Sequence, residues 1–237
     1  IHHPYTFTLQ EGLDAVAEVV HHLETYDVTT IRAGTGHCLL ASRVAQTPVR
    51  VVFSGEGADE IMGSYRYFQN AADEQEFQEE SLRLIHELHR YDNLRVELAC
   101  SSRGLEARVP FLGKDFVHLM MRIRPSVRGW IDGMEKHLLR TAFSERGYLP
   151  DSVLWRRKEA FSDGVSSKKS SWHTQVQQRA RESTGIDDPV DAERQWLMAI
   201  FESAYPGCKG IIPGYWLPRF CGEVRDPSAR VLQNYEE

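Results

Sequence analysis

From Thr8 to Thr25 apolar residues recur at helical spacing, with Leu9, Leu13, Val16, Val20 and Leu23 on one stripe behind a threonine suited to cap it. An amphipathic helix is predicted there, and a second over Cys38 to Ala45. Pro48 breaks the pattern, and Val49 to Phe53 is a short β-branched run ending at Ser54-Gly55, which predicts a buried strand feeding a glycine loop. Asp73 to His89 carries Phe77, Leu84, Ile85 and Leu88 on a helical stripe. Helix is expected to dominate from there on. Gly104 to Phe111 is punctuated by Pro110, while Phe116 to Ile123 and Met134 to Arg146 both suit helices. The last quarter reads as loops, with Pro206, Gly207, Gly210, Pro213, Gly214 and Pro218 close together. No internal repeat is evident.

With 237 residues, 41% of them hydrophobic, the chain can bury a sizeable core. Charged residues make up 26% and the net charge is -6, so nothing favours a nucleic-acid backbone or an anionic membrane. A small-molecule partner is the better expectation. Cys38, Cys100, Cys208 and Cys221 lie far apart with no C-x-x-C pair, which suggests reduced, buried thiols in a cytoplasmic protein. No run approaches the roughly 20 apolar residues of a membrane helix. Without an initiator methionine, and running from Ile1 straight into ordered-looking sequence, the chain reads as an internal piece of a longer polypeptide.

The segment Ser54-Gly55-Glu56-Gly57-Ala58-Asp59-Glu60 is the most informative, because open α/β sheets bind ligands at the carboxyl ends of their strands. Gly55 and Gly57 permit tight turns that bring backbone N–H groups close to a phosphate or carbonyl oxygen. Glu56, Asp59 and Glu60 could accept protons, hold an ammonium-like nucleophile or bind Mg2+. The same residues also suit a plain helix start, with Ser54 as cap and the acids at the positive end of the dipole. Spacing alone leaves both readings open. His86 and His89 are at i, i+3 rather than i, i+4, which favours a solvated helix face over a zinc site.

Extended to Tyr65, the string from Val51 resembles the S-G-E-G-(A/S)-D-E-x-F-G-G-Y signature of the glutamine-hydrolysing asparagine synthetases. Further matches follow in family order: Glu24 to Ala33, Leu105 to Leu112, Glu135-Lys136-His137, Trp155 to Val165 and Asp226 to Arg230. The resemblance implies an α/β fold of the adenine nucleotide alpha hydrolase type, a PP-loop ATP pyrophosphatase domain that is mostly helical in this stretch. Residues 1–70 would hold the nucleotide-binding sheet portion and 71–237 the helical portion. It also implies adenylation of the aspartate β-carboxylate by ATP with Mg2+, then displacement of AMP by ammonia from a glutaminase domain. By motif match Ser54 and Gly55 would contact ATP, and Glu56 would support formation or ammonolysis of the β-aspartyl-AMP intermediate. Asp59 would ligate Mg2+, and Lys158 would face the phosphates. Arg95 and Arg108 also match family positions, with a structural salt bridge at least as good a reading. Tyr65 and Tyr67 could wall the site or simply pack. A homodimer is compatible with the resemblance.

Departures accompany the matches. The family's S-G-G-(L/M)-D-S-S loop does not occur in these 237 residues, nor does the glutaminase N-terminal cysteine segment. On the resemblance, the first strand and PP-loop lie outside the chain, Val49 to Phe53 would pair with that strand, and the chain alone would show little synthetase activity and poor solubility. Gly34 and Gly36 stand where Ser-Thr-Pro is common, the glycine at 36 weakening a helix start there; Met62, Ser64, Glu97-Leu98 and Gly113 differ too. Two other readings are a related ligase with another acceptor, against which Glu56 argues, and a non-catalytic remnant, which the absent loop would suit.

Overall fold

The computed structural model describes residues 1–159, 161, 166 and 171–231. Of the Trp155–Val165 match, positions 160 and 162–165 lie outside the described residues. Helices α1 (Leu9–Leu23) and α2 (Val28–Val44) lead into strand β1 (Val51–Phe53) and the short α3 (Ala58–Met62). Then come α4 (Glu74–Glu87), α5 (Asp92–Ser101), strand β2 (Glu106–Arg108), α6 (Lys114–Arg122), α7 (Pro125–Arg128), α8 (His137–Ser144), α9 (Asp151–Leu154), α10 (Trp172–Thr184) and α11 (Pro189–Ala204).

Local chemistry sets the ends of these helices. Thr8 and Glu11 form a capping box on α1, satisfying two backbone N–H groups reciprocally. Asp27 caps α2 through the Thr30 N–H at 2.8 Å, so this helix begins ten residues before the predicted Cys38. Gly34 and Gly36 therefore lie in its body; a Cβ at Gly34 would come 2.3 Å from Leu23, so the glycine lets α1 approach closely. Asp73 caps α4 as its stripe predicts. The helix predicted from Met134 starts only at His137. Asp132 and Gly133, both at positive φ, turn the chain so that Ile131 and Met134 exchange backbone hydrogen bonds of 3.1 and 2.9 Å. The fragment Glu106–Arg108, unpredicted as a strand, pairs parallel with β1, Val52 opposite Ala107.

The expected buried strand is half-buried. Val51 is 43% and Phe53 79% exposed, while Val52 packs on a cluster of Ala41, Val96, Cys100 and Leu105. Helices α2 and α5 supply that cluster together with Leu105, just before β2, and among the described residues β1 has β2 as its only strand partner. The largest core joins α1 and α2 to Ala99, Leu197 and Phe201, so apolar packing runs across residue 70. A second cluster gathers Tyr67, Phe68, Phe77, Leu84, Tyr91 and Trp216. All four cysteines are free; Cys38 and Cys100 are buried as expected, but Cys208 is exposed and Cys221 half-buried. No helix among the described residues is long and apolar enough to cross a membrane.

Candidate active site

A cavity of about 470 Å3 opens at the carboxyl end of β1. Its wall includes Ser54, Gly55, Glu56, Asp59 and Lys158, which the sequence singled out. Past β1 the Ser54 N–H still donates to the Arg108 carbonyl at 2.8 Å, which fixes where the turn departs. Gly57 then takes φ +86° and ends the turn at the start of α3, and a side chain there would collide with Leu112, 2.2 Å from its Cβ. Gly55 is different. A Cβ at Gly55 would meet nothing within 4 Å, so its backbone stands open. Ser54 does not cap α3, whose N-cap is Gly57 with no side-chain bond; its hydroxyl accepts from the Glu56 N–H at 3.4 Å.

Charge is paired in two groups. Arg95 donates to Glu56 at 3.1 Å and lies 2.8 Å from Asp92, one turn earlier on α5. Burial raises the pKa of Glu56 above the ordinary carboxylate value, against the pull of Arg95. His37 from α2 stacks on Phe161 with ring centroids 4.3 Å apart and brings Nε2 within 3.6 Å of Glu56. Burial, reinforced by Arg95, draws the His37 pKa down to about 3, so this contact is made by a neutral imidazole. In the second group Asp59 lies 2.7 Å from Lys136 and 4.0 Å from Lys158. Burial opposes ionisation of Asp59, but Lys158 and Lys136 outweigh it and its pKa falls. Glu60 points into the protein, 1% exposed, where it accepts the Tyr65 hydroxyl. Burial first, then the charges of Asp92 and Asp59, push its pKa up to about 8.

The remaining predicted residues divide. Tyr65 and Tyr67 both line the cavity, stacked with centroids 5.8 Å apart. Arg108 does not: it is an exposed residue of β2 paired with Glu106. His86 and His89 are exposed on or just past α4. Sequence reasoning missed His37, Asp92 and Trp216, although Asp92 and Arg95 carry the i, i+3 spacing of a helical ion pair. It matched Lys136, and Asp226 to Arg230, without assigning them a role. In the structure Arg32 of α2 holds Asp226 through two bonds of 2.8 and 2.9 Å and Glu193 of α11 through another of 2.8 Å. That clasp brings Pro227, Ser228 and Ala229 to the cavity wall.

A strand-end cavity with arginine-paired carboxylates, a lysine and an open glycine could take an anionic nucleotide and a carboxylate substrate. Comparison with known proteins agrees in kind, since the family model described as asparagine synthase matches residues 1–75 and 69–209. The chain belongs to the asparagine synthase family. It is 42% identical over 98% of its length to a probable asparagine synthetase (glutamine-hydrolyzing) of Acanthamoeba polyphaga mimivirus. Against the asparagine synthetase (glutamine-hydrolyzing) of Gallus gallus it is 41% identical over 99%, and against the probable one of Dictyostelium discoideum 44% over 97%. In each case the match covers 44% of the relative, so the chain spans about half the length of the curated relatives it matches.

For an asparagine synthase, Mg2+ at Asp59 is the expectation that the donor set fits least. Magnesium takes hard oxygen ligands and several waters in near-octahedral geometry. One Asp59 oxygen already faces the Lys136 ammonium at 2.7 Å and the other lies 4.0 Å from that of Lys158. Glu56 and Asp92 are likewise engaged by Arg95. No group of three His, Cys, Asp or Glu residues converges as a metal site among the described residues. Asp59 pairs with Lys136 and lies within 4.0 Å of Lys158.

Proposed function

We propose that this chain forms the aspartate-activating part of a glutamine-hydrolysing asparagine synthetase, of the PP-loop ATP pyrophosphatase type, acting in the cytoplasm. The observation that supports this reading best is the convergence of Glu56 and Lys158 on one cavity at the end of β1. A carboxylate is a poor acyl donor until one oxygen becomes a phosphate-type leaving group. The β-carboxylate oxygen of aspartate attacks the α-phosphorus of ATP, and pyrophosphate departs. Ammonia then attacks the β-carbonyl carbon of the aspartyl-AMP, AMP leaves with the former carboxylate oxygen, and the nitrogen gives up a proton to yield asparagine.

Within that scheme the open backbone at Ser54 and Gly55 receives the nucleotide. Lys158 supplies a preorganised positive charge where negative charge builds on the departing phosphates. Glu56 takes the proton that nitrogen loses, a role its burial and upward-shifted pKa suit. Arg95 keeps Glu56 facing the cavity. Ammonia comes from a glutaminase domain of the same polypeptide, and the S-G-G-(L/M)-D-S-S loop that cradles the β- and γ-phosphates comes from the first strand of the synthetase fold, also in that polypeptide.

Aspartate labelled with oxygen-18 in its β-carboxylate tests the chemistry in a full polypeptide carrying this sequence, given ATP, magnesium and ammonium. Label is expected in AMP. Label in inorganic phosphate, or asparagine formation without AMP, would overturn the adenylation route. The 237-residue chain alone is expected to show negligible aspartate-dependent ATP–pyrophosphate exchange, and robust exchange would refute the need for the loop.

A further inference from the structure

A lysine ammonium hangs on four rotatable bonds, and holding it at one point costs side-chain entropy unless its neighbours fix it. Asp59 alone, 4.0 Å away and shared with Lys136 at 2.7 Å, holds Lys158 loosely. A second contact completes the fix. The Lys158 Nζ lies 4.7 Å from the centroid of the Tyr65 ring, within the range in which a cation is drawn to an aromatic face.

That ring is itself held at two places. Its hydroxyl donates to Glu60, a wholly buried group with no lysine or arginine paired to it among the described residues. Its face stacks on Tyr67 with planes 10° apart. Tyr67 is tied in turn by its hydroxyl to Glu80 at 2.8 Å, and Glu80 is bound by Arg83 at 2.7 and 2.8 Å. The ring is therefore anchored to α3 and α4, away from the loop that carries Lys158.

We propose that Tyr65 is a positioning residue whose ring sets the Lys158 ammonium at the cavity wall, an assignment that rests on the proposed role of Lys158 in ATP chemistry. Tyr65 touches no reacting atom. Its contribution passes through Lys158, so its loss lowers turnover at saturating substrate while aspartate binding stays as it was. A substitution that keeps an aromatic face keeps the contribution even where the hydroxyl bond to Glu60 is lost.

Reductive dimethylation with carbon-13 labels every lysine of a full polypeptide carrying this sequence while preserving its charge, and Lys158→Arg assigns the Lys158 signal. Ring-current shielding is expected to place that signal upfield of the exposed Lys114 and Lys209, and Tyr65→Leu should abolish the shift. A Lys158 signal coinciding with those of exposed lysines overturns the proposal without recourse to any Tyr65 variant. In the full polypeptide, Tyr65→Leu is expected to lower kcat for aspartate-dependent ATP–pyrophosphate exchange about tenfold with the aspartate KM within about twofold, and Tyr65→Phe to stay within about threefold of wild type. Equal losses in both variants would assign Tyr65 a merely structural role. Full exchange by Lys158→Ala would refute the functional reading while leaving the spectroscopic result standing.

Discussion

One guanidinium nitrogen of Arg95 lies 3.1 Å from a Glu56 oxygen and 2.8 Å from an Asp92 oxygen, so a single cation separates two inward-facing carboxylates. Replacing Arg95 by Leu leaves both uncompensated. Such a loss costs about 3–5 kcal/mol when the partners are buried, and the urea midpoint should fall accordingly. Arg95→Lys should recover only part, because the shorter, more flexible lysine stem does not hold its charge at the point where that one nitrogen meets both carboxylates.

Two buried groups shift in opposite senses and shape the stability profile. Glu60 rises from its ordinary 4.5 to about 8, so its stabilising contribution is complete below pH 4.5 and drains away as pH climbs to about 8. His37 falls from 6.5 to about 3, so its contribution is complete above pH 6.5 and is lost on acidification to about 3. Between pH 4.5 and 6.5 the two slopes oppose each other. Unfolding measured across pH should show Glu60→Gln removing a decline between pH 6.5 and 8, and His37→Gln removing one between pH 4.5 and 3. Coincidence of the variant and wild-type profiles, apart from a constant offset, would refute the assignment.

Arg32 is 4% exposed and grips both Glu193 and Asp226. Arg32→Leu should destabilise the chain by about 3–5 kcal/mol for the same reason as at Arg95. It should also expose the segment around Pro227 to proteolysis before global unfolding, which a timed digest followed by mass spectrometry would resolve. Simultaneous loss of all peptides would contradict a local clasp.

Phe53 stands 79% exposed at the end of β1, a strand whose outer edge has no strand partner among the described residues. Unpaired apolar edges template association between chains. Phe53→Lys should reduce aggregation of the 237-residue chain, seen as lower light scattering at equal concentration. Unchanged scattering would locate the sticky surface elsewhere.

Those parts of the fold set by nearby residues could be read in advance. Helices α1 and α4 show a clean apolar stripe behind a capping residue, Thr8 and Asp73. Helix α2 was harder, since its cap, Asp27, precedes a Thr-Thr-Ile-Arg turn whose arginine is buried by a partner 161 residues away. Strand β2 offered no signal at all: Glu-Ala-Arg has neither β-branched residues nor an apolar run, and it is a strand because β1 pairs with it. The Asp132-Gly133 turn was written in the sequence and overlooked. In the site, Ser54 to Asp59 run without a break from the turn into the first residues of α3 and were legible together. His37, Asp92 and Trp216 reach the cavity through packing between distant elements, which no local pattern encodes.

The Arg32–Asp226 clasp spans 194 residues. At ribosomal rates of about 5–20 residues per second, Arg32 waits ~10–40 s for that partner to be made. Until then the guanidinium lacks one of its two counter-charges, and the cavity lacks the wall of Pro227, Ser228 and Ala229. Ligand that reached the nascent chain would find a site open on one side, so binding competence should arrive late in synthesis, after the helices that frame the cavity have already been translated.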